Sequence, residues 1–164
     1  MSFRLTTEQK MVQKMVREFA RGELAPTAAE RDRSKEFPRD NLKKMADLGL
    51  LGMMVPVEYD GAGADTVSYV LALMEVAQAC ASTAVVMSVH NSIVCESILR
   101  YGSDEQKQRW LPRLAGGEII GAFAMTEPLA GSDPVRQETV AEPDGDHFVI
   151  NGVKRFITTG KNCG

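Results

Sequence analysis

Hydrophobic residues in the first two thirds of the chain recur at the period of a helix. Thr6 and Gln9 have the spacing of a capping box, which predicts the start of the first helix. The apolar stripe behind them consists of Met11, Val12, Met15, Val16, Phe19 and Ala20. A second helix is predicted to begin near Pro38, because proline suits a first helical turn, and to end at Gly49. Its predicted inward-facing residues are Leu42, Met45 and Leu48.

Two segments in the middle of the chain are apolar on nearly every side. The first covers residues 66–81 and the second extends to about Tyr101, with a Ser-Thr pair between them. Such segments are typical of helices that are buried on most of their faces. Ser103 and Gln106 form another capping box, which opens a short helix that ends at residues 116–117. The pattern therefore predicts five helices arranged as a bundle.

After Gly117 the apolar period changes from that of a helix to that of a strand. The predicted strands are residues 120–126, 138–142, 147–150 and 153–158. A turn is expected at residues 143–145, and the pair Asn151-Gly152 favours a hairpin turn between the last two strands. Helices followed by strands, without alternation, predict an α+β fold.

Composition and charge narrow the possible functions. The net charge of −3 provides no broad basic surface, which argues against a nucleic-acid partner. No apolar window approaches the ~18 residues of a membrane span, and the polar start does not resemble a signal peptide, so the sequence predicts a cytoplasmic protein. The three cysteines and two histidines lack the spacing of a disulfide framework or a metal site, so no metal is expected.

The densest group of candidate functional residues lies in the loop after the first predicted strand, within residues 121–134. This loop combines Thr126, Gly131, Ser132 and Asp133 with two prolines. Loops of this kind present backbone N–H groups and hydroxyls to a polar ligand, and glycine lets that ligand approach closely. The alternative is a tight β connection in which Thr126 and Asp133 bond to their own backbone.

A second candidate segment, residues 156–160, ends the last predicted strand. Phe156 and Ile157 have the shape to wall a flat ring, and Thr158 can hydrogen-bond its edge. An ordinary strand with β-branched residues explains the same pattern.

Taken in order along the chain, these segments and several others resemble the acyl-CoA dehydrogenase family. Residues 125–133 followed by residues 151–158 are similar to the flavin-binding stretch of that family. Further similar segments are residues 49–52, 55–63, 79–83, 88–92 and 101–112. One such motif would be weak, but the series covers essentially the whole chain without a large gap.

The resemblance implies the domain organisation and the activity. An all-α helical-bundle domain, residues 1–117, is followed by the first part of an antiparallel β-barrel domain that binds flavin, residues 118–164. A third domain, a C-terminal helical bundle that carries the glutamate base of the family, is expected to be absent from this chain. The implied reaction is FAD-dependent α,β-dehydrogenation of acyl-CoA thioesters, of the short- or medium-chain, butyryl-CoA dehydrogenase type. Without the third domain, little or no activity is expected from this chain alone.

The resemblance also implies the residues that bind FAD. They are Phe123, Ala124, Met125, Thr126, Gly131, Ser132, Phe156, Ile157 and Thr158. Thr126 is placed near the pyrimidine edge, Thr158 near N5, and Ser132 near both the phosphate and the substrate. No catalytic residue is expected, and Glu127 is only a candidate substitute for the missing base. Phe156 departs from the tryptophan that many relatives carry, and local packing after Asp133 is expected to differ at Pro134 and Gln137.

The partners implied by the resemblance are acyl-CoA, an electron-transfer flavoprotein as electron acceptor, and further copies of the chain in a dimer or tetramer. Two alternatives keep the same fold, namely an acyl-CoA oxidase and a flavin monooxygenase. A third alternative is a non-catalytic acyl-CoA binding module. His90 is expected to be a buried, hydrogen-bonded core residue, with a place in the acyl pocket as the alternative.

Overall fold

A computed structural model describes residues 4–164, in which helices precede a two-stranded hairpin. Seven α-helices form five continuous helices, because π-helical turns fuse two pairs of them. The α-helices are α1 (Thr7–Phe19), α2 (Ala25–Ser34), α3 (Arg39–Asp47), α4 (Thr66–Ala79), α5 (Ala81–Ser88), α6 (Glu96–Tyr101) and α7 (Asp104–Ala115). The π-helical turns Ala20–Leu24 and Val89–Cys95 join α1 to α2 and α5 to α6, and 3-10 turns lie at Val57–Tyr59 and Pro134–Arg136. The strands are β1 (Val140–Asp144) and β2 (His147–Asn151). The predicted α+β order, a helical bundle followed by antiparallel strands, is confirmed.

Three local signals for helix ends act as the sequence predicts, but the break between α4 and α5 falls at Cys80, whereas the Ser-Thr pair predicted to separate them lies within α5. The Thr6 hydroxyl accepts the Gln9 N–H at 3.1 Å, and the Gln9 side chain accepts the Thr6 N–H at 3.0 Å. Ser103 and Gln106 form the same reciprocal pair at the start of α7. After α3, Gly49 has a φ of +73°, in the left-handed region that favours glycine at helix ends. These ends depend on contacts within three or four residues.

The core lies where α4 packs against α1 and α5. Its most buried side chains include Val16, Leu24, Leu42, Met45, Leu50, Leu51, Val76 and Met87. Two residues predicted to face inward do not, since Met11 is 66% exposed and Leu48 is 39% exposed. Met11 precedes Val16 by five residues, which places it about 140° around the helix, and Leu48 lies beyond the end of α3.

Helix α4 is less buried than its composition predicts. Its residues Val67, Val70 and Met74 are exposed. Its buried residues include Tyr69, Ala72 and Val76, and these belong to the core shared with α1 and α5. Apolar composition thus predicted burial on most faces, whereas only the side that meets neighbouring helices is covered.

A line of polar contacts also joins α1 to α4. The Gln9 amide donates to Asp65 at 2.9 Å, and the Gln13 amide donates to Glu75 at 3.0 Å. The Arg17 guanidinium pairs with Glu75 at 2.7 Å, and this hydrogen bond is the main cause that lowers the pKa of Glu75. Glu75 is buried, and both of its carboxylate oxygens accept hydrogen bonds from α1. These contacts therefore specify how the two helices align.

The π-helical turn Val89–Cys95 contains a buried amide that connects α5 to the segment after α3. Asn91 donates to Leu50 O at 2.9 Å and to Met87 O at 3.0 Å, and it accepts the Met53 N–H at 2.9 Å. Two buried backbone groups of the irregular segment after α3, Leu50 O and the Met53 N–H, are therefore satisfied by this one side chain.

The continuous helix Ala81–Tyr101 is, by its length and its mean hydropathy of 1.2, able to span a membrane, although the sequence patterning predicts no span. It contains the buried and hydrogen-bonded His90 and Asn91, and it packs against α4. These contacts are those of a core helix in a bundle.

The region after residue 118 contains one hairpin where the sequence predicts four strands. Strands β1 and β2 pair antiparallel, with Asp144 opposite His147, so the turn is Gly145-Asp146. The predicted strands at residues 120–126 and 153–158 are not strands in the structure. One backbone hydrogen bond, from the Arg155 N–H to Thr126 O, joins these two segments, and a strand needs a repeating ladder.

The Asn151-Gly152 pair does not form the predicted hairpin turn. Asn151 ends β2 opposite Val140, and Gly152 lies against Thr139, where a Cβ atom would overlap that side chain. Glycine suits this position because Thr139 of the same chain approaches it closely. The turn is made by Gly145, whose φ is +64°.

Candidate functional site

The two candidate segments meet where residues 121–126 lie antiparallel beside residues 155–159. At one end, the Arg155 N–H donates to Thr126 O at 2.8 Å. At the other end, the Thr159 hydroxyl donates to Gly121 O at 2.8 Å. The fold therefore brings together two segments that the β1–β2 hairpin separates in the sequence.

A buried carboxylate holds the first segment in place. The Glu127 carboxylate accepts three hydrogen bonds. They come from the Lys154 ammonium at 2.8 Å, the Glu138 N–H at 2.6 Å and the Thr139 N–H at 3.1 Å. The Glu127 and Ala130 backbones also exchange hydrogen bonds of 3.0 and 3.3 Å. The three side-chain contacts are made to residues 11 to 27 positions away, so Glu127 anchors the loop to the chain around β1 and after β2.

The donors around Glu127 stabilise its ionised form. Hydrogen bonds from Lys154 first, and then from Thr139 and Glu138, lower the pKa of Glu127 from 4.5 to about 2. A carboxylate with so low a pKa is a weak base at neutral pH. The structure therefore gives no support to Glu127 as a substitute for a catalytic base.

We expect the Glu127→Gln variant to be less stable than the parent at neutral pH and the difference to shrink in acid. The folded state lowers the pKa of Glu127, so its ionisation stabilises the fold above about pH 4.5 and this contribution is lost as the pH falls towards about 2. Urea midpoints across this range measure the effect. Glu138→Gln is the matched control, because Glu138 binds Glu127 only through its backbone. Parallel midpoints for Glu127→Gln and the parent would contradict the anchor.

A cavity of about 490 Å³ opens beside the paired segments. Its wall consists of Ala122, Ala124, Lys154, Phe156, Ile157, Gly160, Lys161 and Cys163. Small-molecule sites occupy roughly 300–1,000 Å³, so this cavity has a suitable size. Ala124, Phe156 and Ile157 are the predicted flavin-binding residues that line it, and Lys161 adds a cation to the wall.

The backbone at the cavity has a sparsely populated conformation at two positions. Phe156 has a φ of 54° and Thr159 has a φ of 64°, although neither is glycine. A bulky residue in this region is strained, and such strain clusters at ligand sites. The Phe156 side chain is also 93% exposed, so the strained backbone presents an aromatic ring to the outside of the fold.

The remaining predicted residues lie along the first segment and at the end of the second. Phe123 and Met125 are exposed apolar side chains. Thr126, Ser132 and Thr158 have hydroxyls that make no hydrogen bond within residues 4–164. A Cβ atom at Gly131 would meet nothing within 4 Å. The tight-turn alternative expects the Thr126 hydroxyl to bond to its own backbone. This bond is absent from the described residues.

Comparison with protein families establishes the family of this chain. Residues 6–118 match the family model described as the N-terminal domain of acyl-CoA dehydrogenase, and residues 122–164 match its middle domain. The chain belongs to the acyl-CoA dehydrogenase family. The resemblance on which the sequence prediction rests is confirmed.

Individual acyl-CoA dehydrogenases are similar over nearly the whole chain. The short-chain specific acyl-CoA dehydrogenase of Clostridium acetobutylicum is 49% identical over 98% of this chain. The solved butyryl-CoA dehydrogenase of Megasphaera elsdenii has a TM-score of 0.94 at 35% identity over 99% of the chain. The solved glutaryl-CoA dehydrogenase of Mycobacterium smegmatis in complex with FADH2 has a TM-score of 0.92 at 39% identity over 97% of the chain.

The chain spans less than half of each of these proteins. It covers 42% of the Clostridium relative, 44% of the Megasphaera chain and 41% of the Mycobacterium chain.

Several contacts beside the candidate site were not identified from the sequence. Lys154 lies beside the Asn-Gly pair, but its partner Glu127 is 27 residues away, and no local pattern links them. Thr159 lies within the second candidate segment and Lys161 follows it directly, so their position in the sequence was the available signal. Among residues 4–164, no group of three or more His, Cys, Asp or Glu side chains could hold a metal ion.

Proposed function

We propose that the full-length protein is an FAD-dependent acyl-CoA dehydrogenase that introduces an α,β double bond into short-chain acyl-CoA thioesters. The proposal rests on one observation, the antiparallel pairing of residues 121–126 with residues 155–159 beside a cavity that both segments line. The similarity to a short-chain specific relative supports the substrate class. The similarity to a relative in complex with FADH2 supports the cofactor.

The residues beside the cavity fit a flavin. Phe156 and Ile157 provide an aromatic and an aliphatic wall for a flat ring, and Ala124 leaves room beside them. The hydroxyls that would bind the cofactor are those of Thr126, Ser132 and Thr158. Because these groups have no hydrogen bond to the described protein, they can exchange water for ligand atoms without breaking the fold. In this proposal Ser132 also contacts the substrate.

When bound, FAD supplies the redox chemistry of the reaction. The residues of this chain have a different task, which is to orient the ring and to place hydrogen-bond donors. Donors that are already in position stabilise developing negative charge on a thioester carbonyl better than mobile water does. The rigid anchor at Glu127 favours this, because it fixes the loop that contains Gly131 and Ser132.

The partners in this proposal are the ones that the resemblance implies. They are acyl-CoA, an electron-transfer flavoprotein as the acceptor, and further copies of the chain in a homo-oligomer. A cytoplasmic location is part of the same proposal.

We expect Gly131→Val to reduce FAD retention by the full-length protein by about tenfold or more while the fold stays intact. The structure leaves open space around Gly131, so the valine side chain fits the protein and obstructs only an approaching ligand. Flavin absorbance per mole of purified protein measures retention, and urea unfolding measures stability. Gly22→Ala is the control, since Gly22 is equally open and lies in the π-helical turn Ala20–Leu24, outside both candidate segments.

A second substitution, Ser132→Ala, should also weaken FAD retention, by less than Gly131→Val, because it removes a hydroxyl and adds no bulk. Flavin occupancy equal to that of the parent in both variants would refute the assignment of this loop to FAD.

A further inference from the structure

His90 connects the two ends of the segment that links helix α7 to the first candidate segment. The side chain is fully buried and lies in the π-helical turn Val89–Cys95. Its Nε2 lies 3.0 Å from Leu114 O, and its Nδ1 accepts the Gly121 N–H at 3.1 Å. One imidazole therefore fixes both ends of residues 114–121.

The two contacts select one tautomer of the ring. Because the Gly121 N–H donates to Nδ1, that nitrogen carries no proton, and the neutral ring donates from Nε2 to Leu114 O. Burial lowers the pKa of His90, which favours the neutral ring. An imidazolium would direct a second N–H group at the Gly121 N–H, so the observed geometry requires the neutral form.

Gly121 is the point where three parts of the structure meet. Its carbonyl accepts the Thr159 hydroxyl at 2.8 Å, and the same hydroxyl lies 2.5 Å from Thr158 O. A Cβ atom on Gly121 would overlap the Val94 side chain, so the backbone lies directly against the π-helical turn. Phe123, the first predicted flavin-binding residue, follows two positions later.

We propose that His90 is a positioning residue for the flavin site, acting through its hydrogen bond to Gly121. This inference rests on the proposed function. The linking segment contains the glycines Gly116 and Gly117, which give it conformational freedom, and the imidazole restricts that freedom at both ends. A binding site tolerates displacements of only about 0.5 Å in its supporting groups, so a segment held at its first residue is presented more reproducibly.

Three substitutions separate the two hydrogen bonds of the ring. In His90→Asn the amide oxygen occupies the position of Nδ1 and can still accept the Gly121 N–H. In His90→Gln the amide reaches the position of Nε2 and retains only the contact to Leu114. His90→Leu removes both contacts. The full-length protein is used, with the exchange rate of the Gly121 amide hydrogen and the FAD dissociation constant as the two measurements.

We expect His90→Asn to keep both values within about twofold of the parent, because the contact to Gly121 survives. In His90→Gln and His90→Leu, the Gly121 amide should exchange about tenfold faster and FAD should bind about tenfold more weakly. A residue that only stabilises the core would instead weaken FAD binding in step with lost stability, whichever ring nitrogen is replaced. The rescue by asparagine but not by glutamine is therefore the distinguishing result.

The two measurements also separate this inference from the proposed function. Unchanged Gly121 exchange in His90→Gln would overturn the contact, and faster exchange with unchanged FAD affinity would overturn its role in positioning the flavin. A parent protein that binds no FAD would overturn the proposed function and the flavin role together, whereas the exchange rates would still establish whether His90 holds Gly121. If His90→Leu does not fold, the asparagine and glutamine variants still decide the result.

Discussion

A protein that consists of these 164 residues is expected to desaturate acyl-CoA at least about a hundredfold more slowly than a full-length relative, and up to about 10⁴-fold more slowly. The reaction requires a base that removes the α-proton of the thioester. No carboxylate is present among the residues that line the 490 Å³ cavity. Glu127 is buried nearby, but its pKa is lowered to about 2 and three donors occupy its oxygens.

Reduction of an artificial electron acceptor by several acyl-CoA chain lengths measures this prediction. The Clostridium acetobutylicum short-chain enzyme, at equal flavin content, is the reference. Turnover comparable to the reference would contradict the prediction and would require a base within this chain. Glu127→Gln would then be the first variant to examine, since loss of turnover would identify that residue. Oxygen consumption by the full-length protein separates an oxidase from a dehydrogenase.

The same measurement addresses the alternative of a non-catalytic acyl-CoA binding module. Acyl-CoA binding with a dissociation constant similar to that of the reference, in the absence of turnover by the full-length protein, would favour the binding module over the proposed enzyme. Turnover by the full-length protein combined with inactivity of the 164-residue chain would favour the enzyme.

The Asn91→Leu variant is expected to lose about 2–4 kcal/mol of unfolding free energy. Leucine is similar in size to asparagine but cannot replace its three hydrogen bonds to Leu50, Met53 and Met87. The Met53 N–H would then be buried without a partner, and each such group costs about 1–3 kcal/mol. The effect is large because the amide is only 2% exposed, so water cannot take its place.

Urea unfolding followed by far-UV circular dichroism measures the loss. Ser92→Ala is the matched control from the adjacent position. Its hydroxyl donates to Ser88 O at 2.7 Å within the same helix, so its removal leaves no N–H group unpaired. We expect the control to change stability by less than about 1 kcal/mol. Equal midpoints for Asn91→Leu and Ser92→Ala would show that the buried amide does not stabilise the segment after α3.

The outcome for the β region shows where sequence patterns fail. Alternating residues predicted strands at residues 120–126 and 153–158, and the structure joins these segments through one backbone hydrogen bond. Alternation reflects the two faces of an extended chain, but a strand also needs a partner that continues the ladder. The pair Asn151-Gly152 is compatible with a turn, yet the register set by Gly145 places it at the open end of the hairpin.

The candidate site was predictable in its segments and not in its geometry. The resemblance selected residues 123–132 and 156–158, and the structure places these segments next to each other. The resemblance could not show that the Glu127–Lys154 pair anchors the loop. It also could not show that His90 contacts Gly121, 31 residues away. Side chains that meet across such distances leave no periodic pattern in the sequence.

The sequence by itself determined where the first and last helices begin, where α3 gives way to a turn, the order of helices before strands, and the family. Helix ends at Thr6, Gly49 and Ser103 depend on groups within about four residues, so local sequence is sufficient. Only the tertiary structure decided which apolar faces are covered, which β segments form a ladder, and how the two candidate segments meet. These features depend on packing and hydrogen bonds between distant parts of the chain, which form only when the whole fold brings the partners together.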